Sequence, residues 1–444
     1  MTENVNLRAV VLDILTEVNE KGGYSHVVVN NALTKYQYLD KSERAFLTRL
    51  SEGTIEKKIY LDDVIGRYSK VKTEKMKPLI RNLLRMSVYQ ILFMDGVPDS
   101  AVCNEAVKIA KKRGFGTLSG FVNGVLRNVA RNKEQFTKPQ DLSVKYSMPQ
   151  WIVEQVTGQY GQDTAEMVFA AFENPSPTYV RCNTCLCSVD ELVELLQKQN
   201  VTVEKVPAVF GALRLSGYDY LTKLDAFREG LFFVQDISSM LTGITASLQE
   251  DETVLDICGA PGGKSIHAAV LMNGTGSVIT RDISESKVFK MRENIARMKL
   301  SNVYAGVGDA LEFVPEDEER YDVVFCDLPC SGLGIIGRKA DIKYNMTREQ
   351  QEELVVLQRD ILKTVYRYVK KGGRLIYSTC TINKKENEEN ARWIRDELSL
   401  KPINLENILP KEYVTGTAKE GYIQLLPGVH ETDGFFISAF VRET

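Results

Sequence analysis

The sequence predicts three regions of different architecture. Residues 1–138 form an all-α region, residues 139–245 a small α+β region, and residues 246–444 a doubly wound α/β sheet. In the first region apolar residues recur at helical spacing without alternating strands, and in the second the order is β-α-β-β. In the third, five apolar strands alternate with amphipathic helices, which is typical of a mostly parallel sheet covered on both faces.

The first region is predicted to be a bundle of about seven helices, from the breaks at Gly, Pro and polar clusters. Val11, Ile14, Leu15 and Val18 illustrate its helical spacing. Residues 1–140 hold 23 Lys and Arg against 15 Asp and Glu, whereas the rest of the chain holds 33 against 44. This uneven charge indicates either a module that binds a polyanion or a solvated helix surface.

Two stretches of the first region resemble the NusB family of RNA-binding helical proteins. They read LRMSVYQILFMDGVPDSAVCNEAVKIAKKRG and GFVNGVLRNVAR, and the likeness covers most of residues 1–135. The resemblance implies that this region binds RNA.

The middle region resembles half of a ferredoxin-like or RNA-recognition sandwich. Two helices are expected over residues 149–172, ending before Asn174-Pro175, because proline disfavours helix in the residue before it. The strands TYVRCN, VTVEKV and ALRLSG follow, with a helix after the first of them. The region lacks the aromatic signatures of RNA-recognition domains, so we do not predict that it recognises RNA by itself.

The sequence does not predict a membrane span, a signal peptide or a metal site. No run of 18 apolar residues predicts a membrane span, and MTENVNLRAVV does not read as a signal peptide. We therefore expect a cytoplasmic protein with reduced thiols and no membrane partner. Cys182, Cys185 and Cys187 are close in sequence, but no second Cys or His pair follows, so no metal site is predicted.

In the third region, a glycine-rich loop follows the first strand and predicts a ligand crevice. VLDICGAPGGKS resembles a phosphate-binding P-loop, but Cys258 stands where the first glycine belongs and Pro261 removes an N–H donor. A P-loop NTPase is therefore disfavoured, and the G-x-G-x-x-G of a dinucleotide site is absent. The predicted cofactor loop consists of Cys258, Gly259, Ala260, Pro261, Gly262, Gly263 and Lys264.

Acidic residues follow or end the next three predicted strands, SVITRD, NVYAGVG and YDVVFCD. They are Asp282, Asp309 and Asp327, which lie at the edge where ligands bind in such sheets. Asp282 is suited to hydrogen-bond ribose hydroxyls, and Asp309 can reach an adenine amine. S-adenosyl-L-methionine fits this set best, since it is a nucleoside joined to an amino acid without phosphate.

Two cysteines fall just past the ends of predicted strands, in DLPCSGLG and YSTCTIN. They are Cys330 and Cys380, whereas Cys326 is interpreted as a small buried apolar residue. A thiolate that adds to carbon 6 of cytosine makes carbon 5 able to accept a methyl group, after which a base must remove the carbon-5 proton. Two cysteines and an Asp at one sheet edge supply the groups that this reaction needs.

The third region resembles the bacterial RNA cytosine-C5 methyltransferases of the Sun/Fmu type, whose fold is that of the class I S-adenosylmethionine-dependent (Rossmann-like) methyltransferases. The likeness rests on DICGAPGGKS, DLPCSGLG, RKADIKY, YSTCTIN and LLPGVHETDGFF. It implies that Cys380 is the nucleophile, that Cys330 assists product release, and that Asp327 lies at the target nucleobase. The same residues 258–264 with Asp282, Asp309 and Asp327 are implied to contact the cofactor.

The NusB-like region joined to this catalytic region implies 16S rRNA as the substrate, and we expect a monomer. Pro329-Cys330 also resembles the Pro-Cys nucleophile of DNA cytosine methyltransferases, so the roles of the two cysteines could be reversed. A tRNA cytosine-C5 methyltransferase remains an alternative, because the catalytic motifs do not separate it. A third hypothesis is a non-catalytic NusB-like assembly factor, which the intact cysteine pair disfavours.

Overall fold

The computed structural model describes residues 5–136, 139–174 and 176–443, and the chain divides into two compact units. Unit 1 comprises Met1–Glu173 and Arg338–Asn345, and unit 2 comprises Asn174–Gly337 and Met346–Thr444. Residue 138, the predicted end of the first region, and Pro175, the predicted helix breaker, lie outside the described residues. Within the described residues, no helix has the length and apolar character needed to span a bilayer.

Unit 1 is helical, as predicted, and seven helices occupy the described part of its first 132 residues. Its first ten helices are α1 (Leu7–Lys21), α2 (Ser25–Lys35), α3 (Lys41–Glu56), α4 (Lys58–Tyr68), α5 (Pro78–Phe93), α6 (Asp99–Lys112), α7 (Ser119–Asn132), α8 (Leu142–Lys145), α9 (Gln150–Tyr160) and α10 (Gln162–Phe172). Leu83, Leu84, Met86 and Val88 are buried on every side of α5, so this helix forms the centre of the bundle. The two helices predicted over 149–172 are α9 and α10.

Unit 2 begins with a complete ferredoxin-like sheet, one strand more than was predicted. The strands are β1 (Thr178–Cys182), β2 (Thr202–Lys205), β3 (Ala212–Ser216) and β4 (Phe232–Val234), with helices α11 (Val189–Lys198) and α12 (Asp225–Arg228). The sheet is antiparallel in the order β2-β3-β1-β4. β4 has only three residues, which is too short for a periodic pattern to predict.

The larger sheet of unit 2 is mixed, with a parallel centre and an antiparallel end. Its strands are β5 (Thr253–Asp256), β6 (Ser277–Asp282), β7 (Val303–Val307), β8 (Tyr321–Asp327), β9 (Val369–Thr379), β10 (Lys401–Pro402), β11 (Tyr422–Leu425) and β12 (Phe435–Val441). The order is β10-β12-β9-β8-β5-β6-β7, and β11 forms an antiparallel pair with β12. β8 and β6 flank β5 on opposite sides, so a crevice opens at its carboxyl end.

Helices cover this sheet, and one core joins it to the small sheet. The remaining helices are α13 (Ile237–Thr245), α14 (Gly263–Leu271), α15 (Glu285–Arg297), α16 (Ile342–Asn345), α17 (Arg348–Val365) and α18 (Glu388–Glu397). Tyr179 and Phe233 of the small sheet share a buried cluster with Ile237 of α13 and Ile266 of α14. For this reason the predicted second and third regions fall in one unit, apart from the helices before residue 174 and residues 338–345, which contain α16.

Residues 338–345, which include the string RKADIKY, belong to unit 1. Asp341 accepts the backbone N–H of Ser25 at 3.1 Å and also bonds the Ser25 hydroxyl. It therefore satisfies the free amino end of α2, where the preceding Tyr24 provides no side-chain cap. The Tyr344 hydroxyl lies 3.0 Å from the carbonyl oxygens of both Glu56 and Ser147. This string thus stabilises the helical unit.

Candidate active site

The glycine-rich loop after β5 is shaped by close packing. A Cβ on Gly259 would lie 2.0 Å from the Thr280 hydroxyl oxygen, and Gly262 has a φ of 103° that favours glycine. The Gly259 N–H donates to the Arg281 carbonyl at 2.8 Å, and the Gly262 N–H to the Gly259 carbonyl at 2.6 Å. These two N–H groups are used within the protein and are not available to a phosphate.

Carboxylates surround this loop. Asp282 ends β6, is 6% exposed, and accepts the Ser284 N–H at 3.0 Å; Asp309, after β7, accepts the Leu311 N–H at 2.9 Å. Burial, as the largest cause, and the neighbouring Asp256, Asp282 and Asp327 together raise the pKa of the Cys258 thiol to about 12. Cys258 is therefore a neutral thiol in an acidic crevice, which suits a cationic ligand better than a phosphate.

Asp256, at the end of β5, was not predicted as a site residue. Burial raises its pKa to about 6, although the Ser265 hydroxyl donates to it at 2.5 Å. Its second oxygen is buried without a hydrogen-bond partner among the described residues. An unsatisfied buried carboxylate oxygen is costly and is consistent with a site that awaits a ligand.

Lys264 and Asp327 form an ion pair at the centre of the crevice. The Lys264 ammonium lies 2.6 Å from one Asp327 oxygen and 5.2 Å from the centre of the Phe435 ring. The other Asp327 oxygen accepts the Ser378 hydroxyl at 2.8 Å. These contacts fix the Asp327 carboxylate between the ends of β8 and β9.

The structure brings Cys330 and Cys380 together, with 3.4 Å between their sulfur atoms. β8 and β9 are parallel neighbours in which Asp327 stands opposite Ser378, so the turns that follow them leave the sheet at the same edge. The hydrogen bond to Cys380 raises the pKa of the Cys330 thiol, and burial raises it further. Cys330 is therefore a thiol whose S–H can donate to Cys380.

Buried polar residues that the sequence did not reveal support the two cysteine turns. Ser331 follows Cys330, and its hydroxyl lies 2.7 Å from that of Thr381, which follows Cys380. Glu386 accepts hydrogen bonds from Ser331, and Gln358 donates to the Pro329 carbonyl at 2.8 Å. Cys326, interpreted as a small apolar residue, is fully buried as expected.

A doubly wound sheet with an acidic ligand crevice at its switch point and a thiol pair beside it defines a class of protein. It is an S-adenosylmethionine-dependent methyltransferase of the Rossmann-like class, preceded by a helical and a ferredoxin-like domain. Its residues fit the cofactor, because the crevice offers carboxylates to a sulfonium and to ribose hydroxyls.

Comparison with known proteins identifies the family. The chain belongs to the 16S rRNA methyltransferase RsmB/F family, whose model matches residues 244–441. The NusB family model matches residues 5–131, and the ferredoxin-like domain model of RsmF/B-like methyltransferases matches residues 148–219. The resemblances of the three regions to the NusB family, to a ferredoxin-like domain and to the Sun/Fmu-type methyltransferases are thereby confirmed.

Full-length relatives agree with this assignment. A protein of Bacillus subtilis named "Probable ribosomal RNA small subunit methyltransferase B" is 35% identical over 99% of this chain and 100% of its own length. One of the same name from Synechocystis is 32% identical over 98% of this chain and 99% of its own. The crystal structure of PH0851 covers 99% of both chains at 27% identity, with a TM-score of 0.82.

Proposed function

We propose that this protein methylates carbon 5 of a cytosine in 16S rRNA through a covalent bond between Cys380 and carbon 6 of the base. The relatives that match its whole length are named as small-subunit rRNA methyltransferases, which supports the substrate. The observation that supports methylation at carbon 5 is the thiol pair, whose sulfur atoms lie 3.4 Å apart beyond the carboxyl ends of β8 and β9. Methylation of an exocyclic nitrogen or a ribose oxygen needs no such pair.

Carbon 5 of cytosine needs a nucleophile at carbon 6 before it can accept a methyl group. A thiolate is the form that attacks, and addition at carbon 6 places electron density on carbon 5. S-adenosyl-L-methionine, bound in the crevice by residues 258–264 with Asp282 and Asp309, supplies the methyl group. The target base must leave its stack to reach the thiols.

The two sulfur atoms have different roles in the proposed reaction. The hydrogen bond to Cys380, and then burial, raise the pKa of Cys330 and so favour its thiol form in the resting protein. When Cys380 bonds to carbon 6, this sulfur no longer accepts that hydrogen bond, and the first cause of the raised pKa is removed. Cys330 can then give its proton to water and, as a thiolate, accept the proton from carbon 5. The electron pair of that C–H bond re-forms the double bond between carbons 5 and 6, and the sulfur of Cys380 leaves as a thiolate.

Asp327 and Lys264 contact the base in this proposal. An ionised carboxylate only accepts hydrogen bonds, so Asp327 receives the cytosine amino group. Lys264 only donates, and its ammonium, 2.6 Å from Asp327, is placed to stabilise negative charge that develops on the ring. Asp327 thus orients the base, and Cys330 removes the proton.

The test is to map 5-methylcytosine in RNA from cells with and without the gene. We expect one 16S rRNA cytosine to lose its carbon-5 methyl group in the deletion strain and to regain it when the wild-type gene is restored. Restoration with the Cys380→Ala variant should leave the site unmethylated. Loss of a tRNA methyl group instead, or of a 16S methyl group at a position other than carbon 5, would contradict the proposal.

A further inference from the structure

A single buried carboxylate holds both cysteine turns. Glu386 is 0% exposed. One of its oxygens accepts the Ser331 N–H at 2.8 Å, and the other accepts the Ser331 hydroxyl at 2.5 Å. Ser331 is the residue after Cys330, so both hydrogen bonds fix the backbone that carries this thiol.

Four donors saturate the Glu386 carboxylate. Besides the two groups of Ser331, the Asn383 amide donates at 3.0 Å and the Gln358 amide at 3.1 Å, one to each oxygen. A carboxylate offers about four acceptor positions, and all are occupied. Glu386 therefore has no free lone pair to take a proton from a substrate, and it acts through the residues it holds.

The network has a direction that links the second cysteine turn to the first. The Ser331 hydroxyl has one proton, which it gives to the carboxylate, so in its 2.7 Å contact with Thr381 it is the acceptor. Thr381 is consequently the donor. The chain runs from Thr381, next to Cys380, through Ser331, next to Cys330, to Glu386.

We propose that Glu386 is a positioning residue for the methyl transfer, which keeps the sulfur atoms of Cys330 and Cys380 in contact by binding both turns. The proposal rests on the proposed function in treating this pair as the catalytic one. A carboxylate is required because every group facing it is a donor. In Glu386→Gln, the new amide N–H₂ would face two of those donors, and buried donors would lose their acceptor.

The formation rate of a disulfide measures this contact without RNA or cofactor. The full-length protein is treated with diamide, which takes two hydrogens from two thiols as the disulfide forms. Cys330–Cys380 and Cys182–Cys187 peptides are then quantified by mass spectrometry. The second pair, 3.9 Å apart in the small sheet region, is an internal control for the fold. The matched variant is Glu388→Gln, because Glu388 begins α18, is partly exposed and pairs with Lys384 and Arg392.

We expect Glu386→Gln to slow the Cys330–Cys380 disulfide about tenfold or more, the effect of losing a hydrogen bond to a charged group, and to leave Cys182–Cys187 at the wild-type rate. Glu388→Gln should change neither rate. A wild-type rate for Cys330–Cys380 in Glu386→Gln would overturn the proposal.

If Glu386→Gln also alters the control pair, Ser331→Ala decides: slowing supports the proposal, and a wild-type rate overturns it. Neither result depends on which base is methylated, so failure of the proposed function would be seen separately.

Discussion

The chain contains two pairs of neighbouring thiols that differ in their surroundings. Cys330 and Cys380 lie 3.4 Å apart in two turns at the ligand edge of the large sheet. Cys182 and Cys187 lie 3.9 Å apart, near the end of β1, and Cys182 belongs to the apolar core of the ferredoxin-like domain. Distance alone therefore does not distinguish the pair proposed to be catalytic from the other pair.

Hydrogen bonding and burial separate the two pairs. The raised pKa of Cys330 is due first to its hydrogen bond with Cys380 and then to burial. For Cys182 the order is reversed, since burial is the first cause and the Coulomb interaction with Cys187 comes second. The largest cause of the raised pKa is thus the partner thiol for Cys330 and burial in the apolar core for Cys182, as expected of a small buried residue.

Removing one thiol from each pair should give the largest contrast. Cys380→Ala should reduce methyl transfer to a 16S rRNA transcript by about a thousandfold or more, because the attacking group is gone. Cys187→Ala, the matched change in the other pair, should leave the rate within a factor of two, as for substitutions away from a site. Incorporation of labelled methyl groups measures both. Equal losses would remove the distinction between the pairs.

The cofactor crevice belongs to the first pair only, and disrupting it should have an intermediate effect. Asp282→Ala should weaken S-adenosyl-L-methionine binding about tenfold, because a hydrogen bond to a charged group is lost. Calorimetry on the full-length protein measures this, and the matched Asp251→Ala, at an exposed position before β5, should bind like the wild type. Unchanged affinity in Asp282→Ala would contradict the assignment of this residue.

The pH dependence of thiol alkylation should give the smallest contrast. Alkylation follows the thiolate, so a raised pKa moves its rate profile to higher pH. Cys380→Ala removes the first cause that raises the pKa of Cys330, so the Cys330 profile should move to lower pH. Cys187→Ala leaves the burial of Cys182 in place, so its profile should move less. Mass spectrometry of alkylated peptides across pH gives both profiles, and a larger shift for Cys182 would reverse the comparison.

The sequence predicts the parts of the site that depend on strand ends. Carboxyl ends of parallel strands share one edge of a sheet, so the strand pattern alone is enough to group Asp282, Asp327, Cys330 and Cys380. Asp256 ends the first of these strands but was missed, because an acid at a strand end also serves as an ordinary turn residue. Burial, which distinguishes it, is a tertiary property.

Glu386 and residues 338–345 could not be placed from the sequence for the same reason. Glu386 lies in KKENEE, a string of charges typical of an exposed helix start, yet the turn that follows β9 buries it completely. The string RKADIKY lies in the middle of the catalytic region, but Asp341 and Tyr344 stabilise the helical unit. Deleting residues 1–138 would therefore also remove Ser25 and Glu56, which contact Asp341 and Tyr344.

The central claim is that Cys380 forms the covalent bond and Cys330 is needed to break it. The direct measurement is a denaturing gel of each cysteine variant after incubation with labelled 16S rRNA and S-adenosyl-L-methionine, followed by peptide mapping of the crosslink. Cys330→Ala should accumulate a protein–RNA adduct that survives denaturation and maps to Cys380, and Cys380→Ala should form none. An adduct in Cys380→Ala that is absent from Cys330→Ala, or no adduct in either variant, would contradict the account.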